Sequence, residues 1–151
     1  MRIHLGSDHA GFALKQKVAD LVIERGHEVV DHGPVTLDPN DDYPPYCFAA
    51  AEGAAAELGS LGIVLGGSGN GEAIAANKVP GARCAVAYSD ETVRLAREHN
   101  NANVMSLGAR MIEESAALRF VDIFLTTTFS GDERHARRIA MLTAYDDRRQ
   151  I

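Results

Sequence analysis

The segment Leu61-Gly-Ile-Val-Leu-Gly-Gly-Ser-Gly-Asn-Gly-Glu-Ala-Ile-Ala-Ala-Asn-Lys78 decides the fold of this 151-residue chain. It begins as a buried strand, passes through a glycine-rich turn, and continues into a helix predicted from Gly71. Glycines let backbone N–H groups approach an oxyanion closely, and the start of a helix adds the positive end of its dipole. Glu72 follows where a proton-transferring base could lie beside that cradle. A tight strand-to-helix turn with a capping glutamate is the alternative interpretation.

Apolar runs alternate with segments of helical period on both sides of this segment. Strands are predicted at Arg2–Ser7, Glu28–Asp31, Leu61–Gly66, Cys84–Ala87 and Val104–Gly108. Helices are predicted at Gly11–Arg25, Tyr43–Leu58, Gly71–Lys78, Asp90–Asn100, Glu113–Thr126 and Asp132–Gln150. Such alternation is typical of a doubly wound α/β fold, in which helices cover both faces of a parallel sheet. We therefore expect a single α/β domain over residues 1–151, with a five-stranded parallel sheet.

The composition is that of an ordinary globular protein, with 46% hydrophobic and 24% charged residues. The net charge of −6 argues against a nucleic-acid-binding protein, which would carry a basic face. Cys47 and Cys84 show neither metal-binding nor CxxC spacing, so free thiols in a reducing compartment are expected. The chain opens on a strand pattern rather than a signal peptide, and no apolar run reaches the roughly 18 residues of a membrane span. These features predict a cytoplasmic protein without nucleic-acid or membrane partners.

Candidate ligand-binding residues follow three of the predicted strands. Asp8 and His9 follow the first strand, the Gly66–Glu72 turn follows the third, and Arg110 follows the fifth. Because ligands of a doubly wound sheet bind outside the carboxyl ends of its strands, all should lie along one edge. Helix capping by Asp8, with His9 merely exposed, is the alternative for that pair.

His99 does not fit this arrangement. The helix that starts near Asp90 runs back across the sheet and leaves His99 near the opposite edge. A cationic histidine at a helix C-terminus is favourable by roughly 0.3–1 kcal/mol without any function. Either His99 is structural, or it completes the site of a neighbouring subunit, in which case the protein is a dimer.

The last predicted helix opens with a basic segment. Arg134 and Arg138 are four residues apart and share a helix face. Arginines in the first turns of a helix oppose its dipole unless an anion is near. The two are either part of a solvated basic face or a phosphate clamp, to which Arg110 would add a third cation. Ser130 and Glu133 have the spacing of a capping box at the start of this helix.

The glycine-rich turn matches neither common nucleotide-binding motif. A P-loop ends in Gly-Lys-Ser/Thr, whereas in this chain Gly71 is followed by Glu72. A dinucleotide-binding fingerprint follows the first strand of its fold, whereas this turn follows the third predicted strand. No pair of histidines has metal-ligand spacing, so neither a metal nor another cofactor is expected. An oxyanion cradle, one carboxylate base, histidines and a phosphate clamp suit proton transfer between adjacent carbons of a phosphorylated sugar.

Motifs along nearly the whole chain resemble those of the B-type ribose-5-phosphate isomerases, a family related to galactose-6-phosphate isomerase subunits. The matching residues are Gly6–Phe12 with Lys15, Asp42–Pro44, Gly67–Gly71, Ala75–Lys78, His99–Asn100 with Asn103, Gly108–Arg110 and Arg134–Arg138. The resemblance implies a Rossmann-like αβα sandwich in a homodimer or dimer of dimers, with shared sites and the helix over about 132–150 at the subunit interface. It also implies the reversible conversion of ribose 5-phosphate to ribulose 5-phosphate without a cofactor.

The resemblance also assigns roles to individual residues. One branch of the family has a cysteine base just before the Gly-Ser/Thr-Gly turn, where this chain has Gly66, whereas Glu72 matches the glutamate base of the other branch. By this resemblance Glu72 transfers the proton between C1 and C2, His99 opens the sugar ring from the partner subunit, and Ser68 helps to stabilise the enediolate. The residues implied in substrate binding are Asp8, His9, Tyr43, Gly67, Ser68, Gly69, Asn70, Gly71, Asn100, Arg110, Arg134 and Arg138.

Two other functions remain open from the sequence. The first is a non-catalytic module that binds a phosphosugar on the same fold, since fold alone does not establish chemistry. Glu72 argues against it, because a carboxylate facing an anionic ligand would weaken binding. The second is isomerisation of another sugar phosphate, such as allose 6-phosphate, galactose 6-phosphate or a tetrose phosphate.

Overall fold

Residues 1–149 are described by the computed structural model, and they form five strands and six helices. The strands are β1 (Arg2–Ser7), β2 (Glu28–Asp31), β3 (Leu61–Gly66), β4 (Cys84–Val86) and β5 (Val104–Gly108). The helices are α1 (Phe12–Glu24), α2 (Tyr43–Ala56), α3 (Asn70–Ala76), α4 (Asp90–Asn100), α5 (Glu114–Thr126) and α6 (Glu133–Arg149). The strands pair in parallel in the order β2-β1-β3-β5-β4. The predicted α/β class and five-stranded parallel sheet are confirmed.

Helices cover both faces of the sheet because its central strand, β3, is apolar on both sides. Ile63 and Leu65 pack on one face with α1 and α5, and Val64 packs on the other face against the alanine-rich α2. The small residues of α2 allow a close approach, since a Cβ added at Gly62 would lie 3.2 Å from the Cβ of Ala54. A strand such as β3, in which apolar residues follow one another without alternation, must be buried on both faces of the sheet.

The observed helices and strands begin and end within two residues of the predicted positions, and the predicted helix end at Gln150 lies outside the described residues. The predicted capping box at α6 is wrong. Ser130 Oγ accepts a hydrogen bond from the N–H of Asp132 at 3.2 Å, and the Ser130 N–H donates to the carbonyl of Glu98 at 3.0 Å. The Ser130 hydroxyl therefore bonds two residues ahead, across Gly131 with φ of 76°, and not to the N–H of Glu133 as a capping box requires.

The carboxyl ends of β1, β3 and β5 meet at one edge of the sheet. The Asp8 N–H donates to the Leu65 carbonyl at 3.3 Å, and the Ala109 N–H donates to the Gly66 carbonyl at 2.8 Å. Helix α4 instead returns to the opposite edge. It ends at Asn100, whose carbonyl accepts a hydrogen bond from Arg83 just before β4. Over residues 1–149, no helix is both long enough and apolar enough to cross a membrane.

Candidate active site

The glycine-rich loop between β3 and α3 is held by the end of β5. The Arg110 N–H donates to the Gly67 carbonyl at 3.0 Å, and the buried Ser106 hydroxyl donates to the Gly69 carbonyl at 2.7 Å. Gly69 adopts a φ of 82°, a left-handed conformation that glycine accepts without strain. The loop is therefore fixed in one position relative to the strand ends.

The Glu72 carboxylate lies directly against Gly66. Its side chain belongs to the first turn of α3 and is only 4% exposed. A Cβ added at Gly66 would overlap Oε1 and Cδ of Glu72, so no larger residue fits at position 66 unless the carboxylate moves. In this geometry a side chain at position 66 and a glutamate at position 72 exclude each other. Within residues 1–149, Glu72 Oε2 is buried without a hydrogen-bond partner.

The surroundings of Glu72 favour its protonated form. Burial raises the pKa of the carboxyl above its ordinary value of 4.5, and the negative charge of Asp8 raises it further. Backbone N–H groups of Gly69 and of Glu72 itself oppose part of this rise. A carboxylate with a raised pKa is a stronger base, and proton transfer near neutral pH requires such a group.

Asp8 and His9 lie in the turn that joins β1 to α1. Asp8 is buried, and its Oδ1 accepts hydrogen bonds from the N–H groups of Ala10 at 2.9 Å and Gly11 at 3.2 Å. His9 contacts a carboxylate from another loop, with 2.8 Å between its Nδ1 and Asp41 Oδ1. Asp8 thus holds the turn that precedes α1 rather than capping the helix, whose N-cap is Gly11 without a side-chain hydrogen bond, so the capping alternative is wrong. Asp8 also lies near enough to Glu72 to influence its pKa.

Tyr43 and Arg110 flank the glycine-rich loop from two sides. A Cβ at Gly71 would lie 2.6 Å from the Tyr43 hydroxyl, so the tyrosine ring packs directly on this glycine. A Cβ at Gly67 would lie 3.5 Å from Arg110 Nη1, so the guanidinium group lies above that part of the loop. The structure therefore brings the side chains of Asp8, Tyr43, Glu72 and Arg110 to the same loop.

Ser68 and Asn70 are exposed at the tip of the loop. The Asn70 N–H donates to Ser68 Oγ at 3.2 Å. Because Ser68 Oγ accepts this bond, the hydroxyl proton remains free to be donated to a ligand.

Four of the predicted site residues lie elsewhere, on α4 and α6. The rings of His99 and His135 stack with 4.2 Å between their centroids and 15° between their planes. Arg134 and Arg138 are exposed on α6, and Asn100 contributes to a groove of about 370 Å³ between β4 and α6. A single chain therefore does not bring all the predicted residues together. Across residues 1–149, no cluster of three or more His, Cys, Asp or Glu side chains is arranged to hold a metal ion.

Two residues that support the loop and its surroundings were not predicted from the sequence. Ser106 is a lone polar residue in the otherwise apolar strand Val104–Gly108, and that contrast is a signal of a buried hydrogen bond. Asp41 lies in a polar loop at 33–42, and no periodicity there indicates a contact with His9. Only the tertiary structure reveals the second contact.

A family model described as Ribose/Galactose Isomerase matches residues 3–142. The chain belongs to this isomerase family. It is 56% identical over 146 residues to the ribose-5-phosphate isomerase B of Mycobacterium tuberculosis H37Rv, with 97% of this chain and 90% of the relative covered.

Solved structures of the isomerase family have the same fold. The ribose-5-phosphate isomerase B of Mycoplasma genitalium with bound ribulose 5-phosphate is 39% identical, with a TM-score of 0.93 over 97% of this chain and 96% of that chain. The Clostridium thermocellum ribose-5-phosphate isomerase B is 40% identical, with a TM-score of 0.92 over 98% and 99% of the two chains. The resemblance seen in the sequence motifs is confirmed.

Proposed function

We propose that this protein is an aldose–ketose isomerase that interconverts D-ribose 5-phosphate and D-ribulose 5-phosphate, a step of the non-oxidative pentose phosphate pathway. The observation that carries the proposal is the buried carboxylate of Glu72, seated on Gly66 beside a glycine-rich loop. Its raised pKa suits a base that takes a proton from carbon near neutral pH. Family membership and 56% identity to a ribose-5-phosphate isomerase B support the choice of substrate.

The reaction needs one base and one stabilised oxyanion. In the open-chain aldose, Glu72 removes the proton from C2, and the electron pair of the C–H bond forms the enediolate with charge on O1. The hydroxyl proton on O2 moves to O1, and the protonated Glu72 returns its proton to C1, which leaves the carbonyl group at C2 of the ketose. The net change moves hydrogens between adjacent carbons and oxygens and consumes no oxidant, so no cofactor is expected.

The enediolate would be stabilised by the loop that follows β3. The Ser68 hydroxyl can donate to the developing oxyanion, since its oxygen already accepts from the Asn70 N–H. The N–H groups of Gly69–Gly71 would contribute further, and Asp8 and Tyr43 would hold the sugar hydroxyl groups. Gly67 lets the substrate approach the backbone beneath Arg110.

The site is proposed to be shared between two subunits of a homodimer, alone or within a tetramer. In one chain His99 and Asn100 lie at the opposite edge from Glu72, so a neighbouring subunit would have to supply them. His99 would open the sugar ring, and Asn100 would support the sugar. His9, Arg110, Arg134 and Arg138 would bind the phosphate group.

Helix α6 supports an interface in this position. Its apolar side chains Met141, Leu142 and Tyr145 are exposed in the isolated chain, with 53% to 68% of their surface accessible. A helix with such a face gains stability when a partner covers it. The helix over about 132–150 is accordingly proposed to lie at the subunit interface. The cytoplasm, where pentose phosphates are metabolised, is the proposed location.

A metal-free assay tests the proposed function. Purified protein in a chelator is given ribose 5-phosphate, and the formation of ribulose 5-phosphate is followed, with allose 6-phosphate as a parallel substrate. We expect rapid turnover of the pentose phosphate and little of the hexose phosphate. Turnover of neither sugar, by protein that is folded, would contradict the proposal.

A further inference from the structure

Asp41 makes an unusual pair of contacts with His9. One carboxylate oxygen, Oδ1, accepts the backbone N–H of His9 at 2.9 Å and lies 2.8 Å from the ring nitrogen Nδ1. The Asp41 side chain is only 5% exposed, whereas the His9 side chain is 30% exposed. Within residues 1–149, the second oxygen of Asp41 has no hydrogen-bond partner. The Asp41 carboxylate therefore bonds to His9 alone, at both the main-chain N–H and the ring of that residue.

This contact determines which nitrogen of His9 faces a ligand. An ionised carboxylate only accepts hydrogen bonds, so Nδ1 must carry a proton to bond with Asp41. The other nitrogen, Nε2, is then left for the exposed side of the ring. A protonated Nε2 can donate a hydrogen bond to a phosphate oxygen. An unprotonated Nε2 would instead turn a lone pair toward the anion.

The loop that carries Asp41 is anchored at both ends. At its start, the fully buried Lys15 donates to Asp31 Oδ1 at 2.7 Å and to the Pro34 carbonyl at 2.9 Å. At its end, the chain enters α2 at Tyr43, whose ring packs on Gly71. Asp41 is thus held in place by contacts that do not depend on His9.

We propose that Asp41 is a positioning residue for phosphate binding, which fixes His9 with Nδ1 protonated and Nε2–H directed at the phosphate group of the substrate. The inference rests on the proposed function, because it takes His9 as a phosphate ligand. It adds a residue that acts through His9 and touches neither the sugar nor the reacting carbons.

The direct test replaces the carboxylate by an amide of the same size. Asp41→Asn removes the charge and should raise KM for ribose 5-phosphate about tenfold, as expected for one hydrogen bond to a charged group, while kcat changes less than threefold. Inorganic phosphate, measured by calorimetry, should bind more weakly by the same factor. Asp38→Asn is the matched control, since Asp38 is an exposed aspartate of the same loop and its amide can keep the bond to the Asn40 N–H. This control should change neither quantity.

A double-mutant cycle separates positioning of His9 from a general effect on the fold. If Asp41 acts through His9, Asp41→Asn should add less than a further twofold loss in a His9→Gln background. An equal loss in both backgrounds would overturn the proposal, as would an Asp41→Asn variant with unchanged KM and unchanged phosphate binding.

A measurement on the unaltered protein tests the state of the His9 ring directly, and a variant is used only to assign the signal. The ¹⁵N spectrum of His9, assigned by its disappearance in His9→Gln, should show a protonated Nδ1, and an unprotonated Nδ1 would overturn the inference. Phosphate binding also separates the two proposals. Protein that turns over no pentose phosphate, yet loses phosphate affinity on Asp41→Asn, would contradict the proposed reaction and support the role of Asp41. Absence of phosphate binding by the unaltered protein would overturn that role.

Discussion

Replacement of Gly66 by alanine is expected to displace the catalytic base. The added Cβ would lie 2.9 Å from Glu72 Cγ and would overlap the carboxylate itself, whereas ordinary contacts begin at 3.4 Å. The carboxylate must therefore move by about 1 Å or more, and a displacement of that size can lower a rate about 100-fold. We expect kcat to fall by about this factor while KM changes little, because the phosphate ligands are not touched.

The assay compares Gly66→Ala with a second alanine variant of the same strand. A Cβ at Gly62 would lie 3.2 Å from Ala54 and 3.3 Å from Val104, so Gly62→Ala should cost stability without moving Glu72. Both variants are measured for ribose 5-phosphate turnover and for thermal unfolding. Overpacking of a core typically costs about 1–3 kcal/mol, so both melting temperatures should fall. Only Gly66→Ala should lose kcat.

Combination with a Glu72 variant identifies the cause of the loss. In a Glu72→Gln background the base is already absent, so Gly66→Ala should add less than about a threefold further loss. A Gly66→Ala enzyme with kcat close to that of the unaltered protein would refute the reasoning, because the structure leaves no room for both groups.

The remaining predictions concern the ionisation of Glu72, the thiols and the shared site. Because the pKa of Glu72 is raised, kcat/KM should rise with pH through a value above 4.5, and Glu72→Gln should remove that limb. The folded state binds the Glu72 proton more tightly than the unfolded state does, so ionisation of Glu72 lowers the stability of the fold as the pH rises. Glu72→Gln removes this loss. Denaturant titration should therefore show a larger gain in the free energy of unfolding at about pH 7.5 than at about pH 4. Iodoacetamide should leave activity intact, because burial raises the pKa of Cys47 and raises that of Cys84 to about 12; inactivation that substrate prevents would argue for a thiol base. Mixing Glu72→Gln with His99→Asn subunits should restore about a quarter of normal activity, since half of the dimers then contain one complete site; no rescue after confirmed subunit exchange would contradict a shared site.

The fold could be predicted from the sequence because its signals are local and repeated. The apolar run at Leu61–Gly66 is too short for a helix and lacks the alternation of an exposed strand, so it indicates a strand buried on both faces. The order of the strands in the sheet could not be predicted from such local patterns. Pairing of β3 with both β1 and β5 depends on which surfaces the helices cover, and no local pattern specifies that.

The candidate site could be predicted only in part, because only some of its contacts join residues that are close in sequence or follow from the positions of the strand ends. Glu72 and the glycine-rich loop are adjacent in sequence, and the rule for strand ends placed Asp8 and Arg110 beside them. The direction of α4 indicated that His99 would lie at the other edge. Asp41 reaches His9 across 32 positions of the chain, from a loop without periodicity, so its contact had no sequence signal. The steric reason for glycine at position 66 could not be predicted either, because it depends on where the Glu72 side chain lies in the folded protein.

The rate of ribulose 5-phosphate formation by Glu72→Gln tests the central claim most directly. Loss of a general base lowers turnover by about 100-fold to 10,000-fold, and we expect kcat to fall within that range while KM stays within about threefold. The amide keeps the size of the buried side chain, so binding and folding should persist, as calorimetry with inorganic phosphate and thermal unfolding can verify. A folded variant that binds phosphate and retains kcat within about threefold of the unaltered enzyme would contradict the assignment of Glu72 as the base.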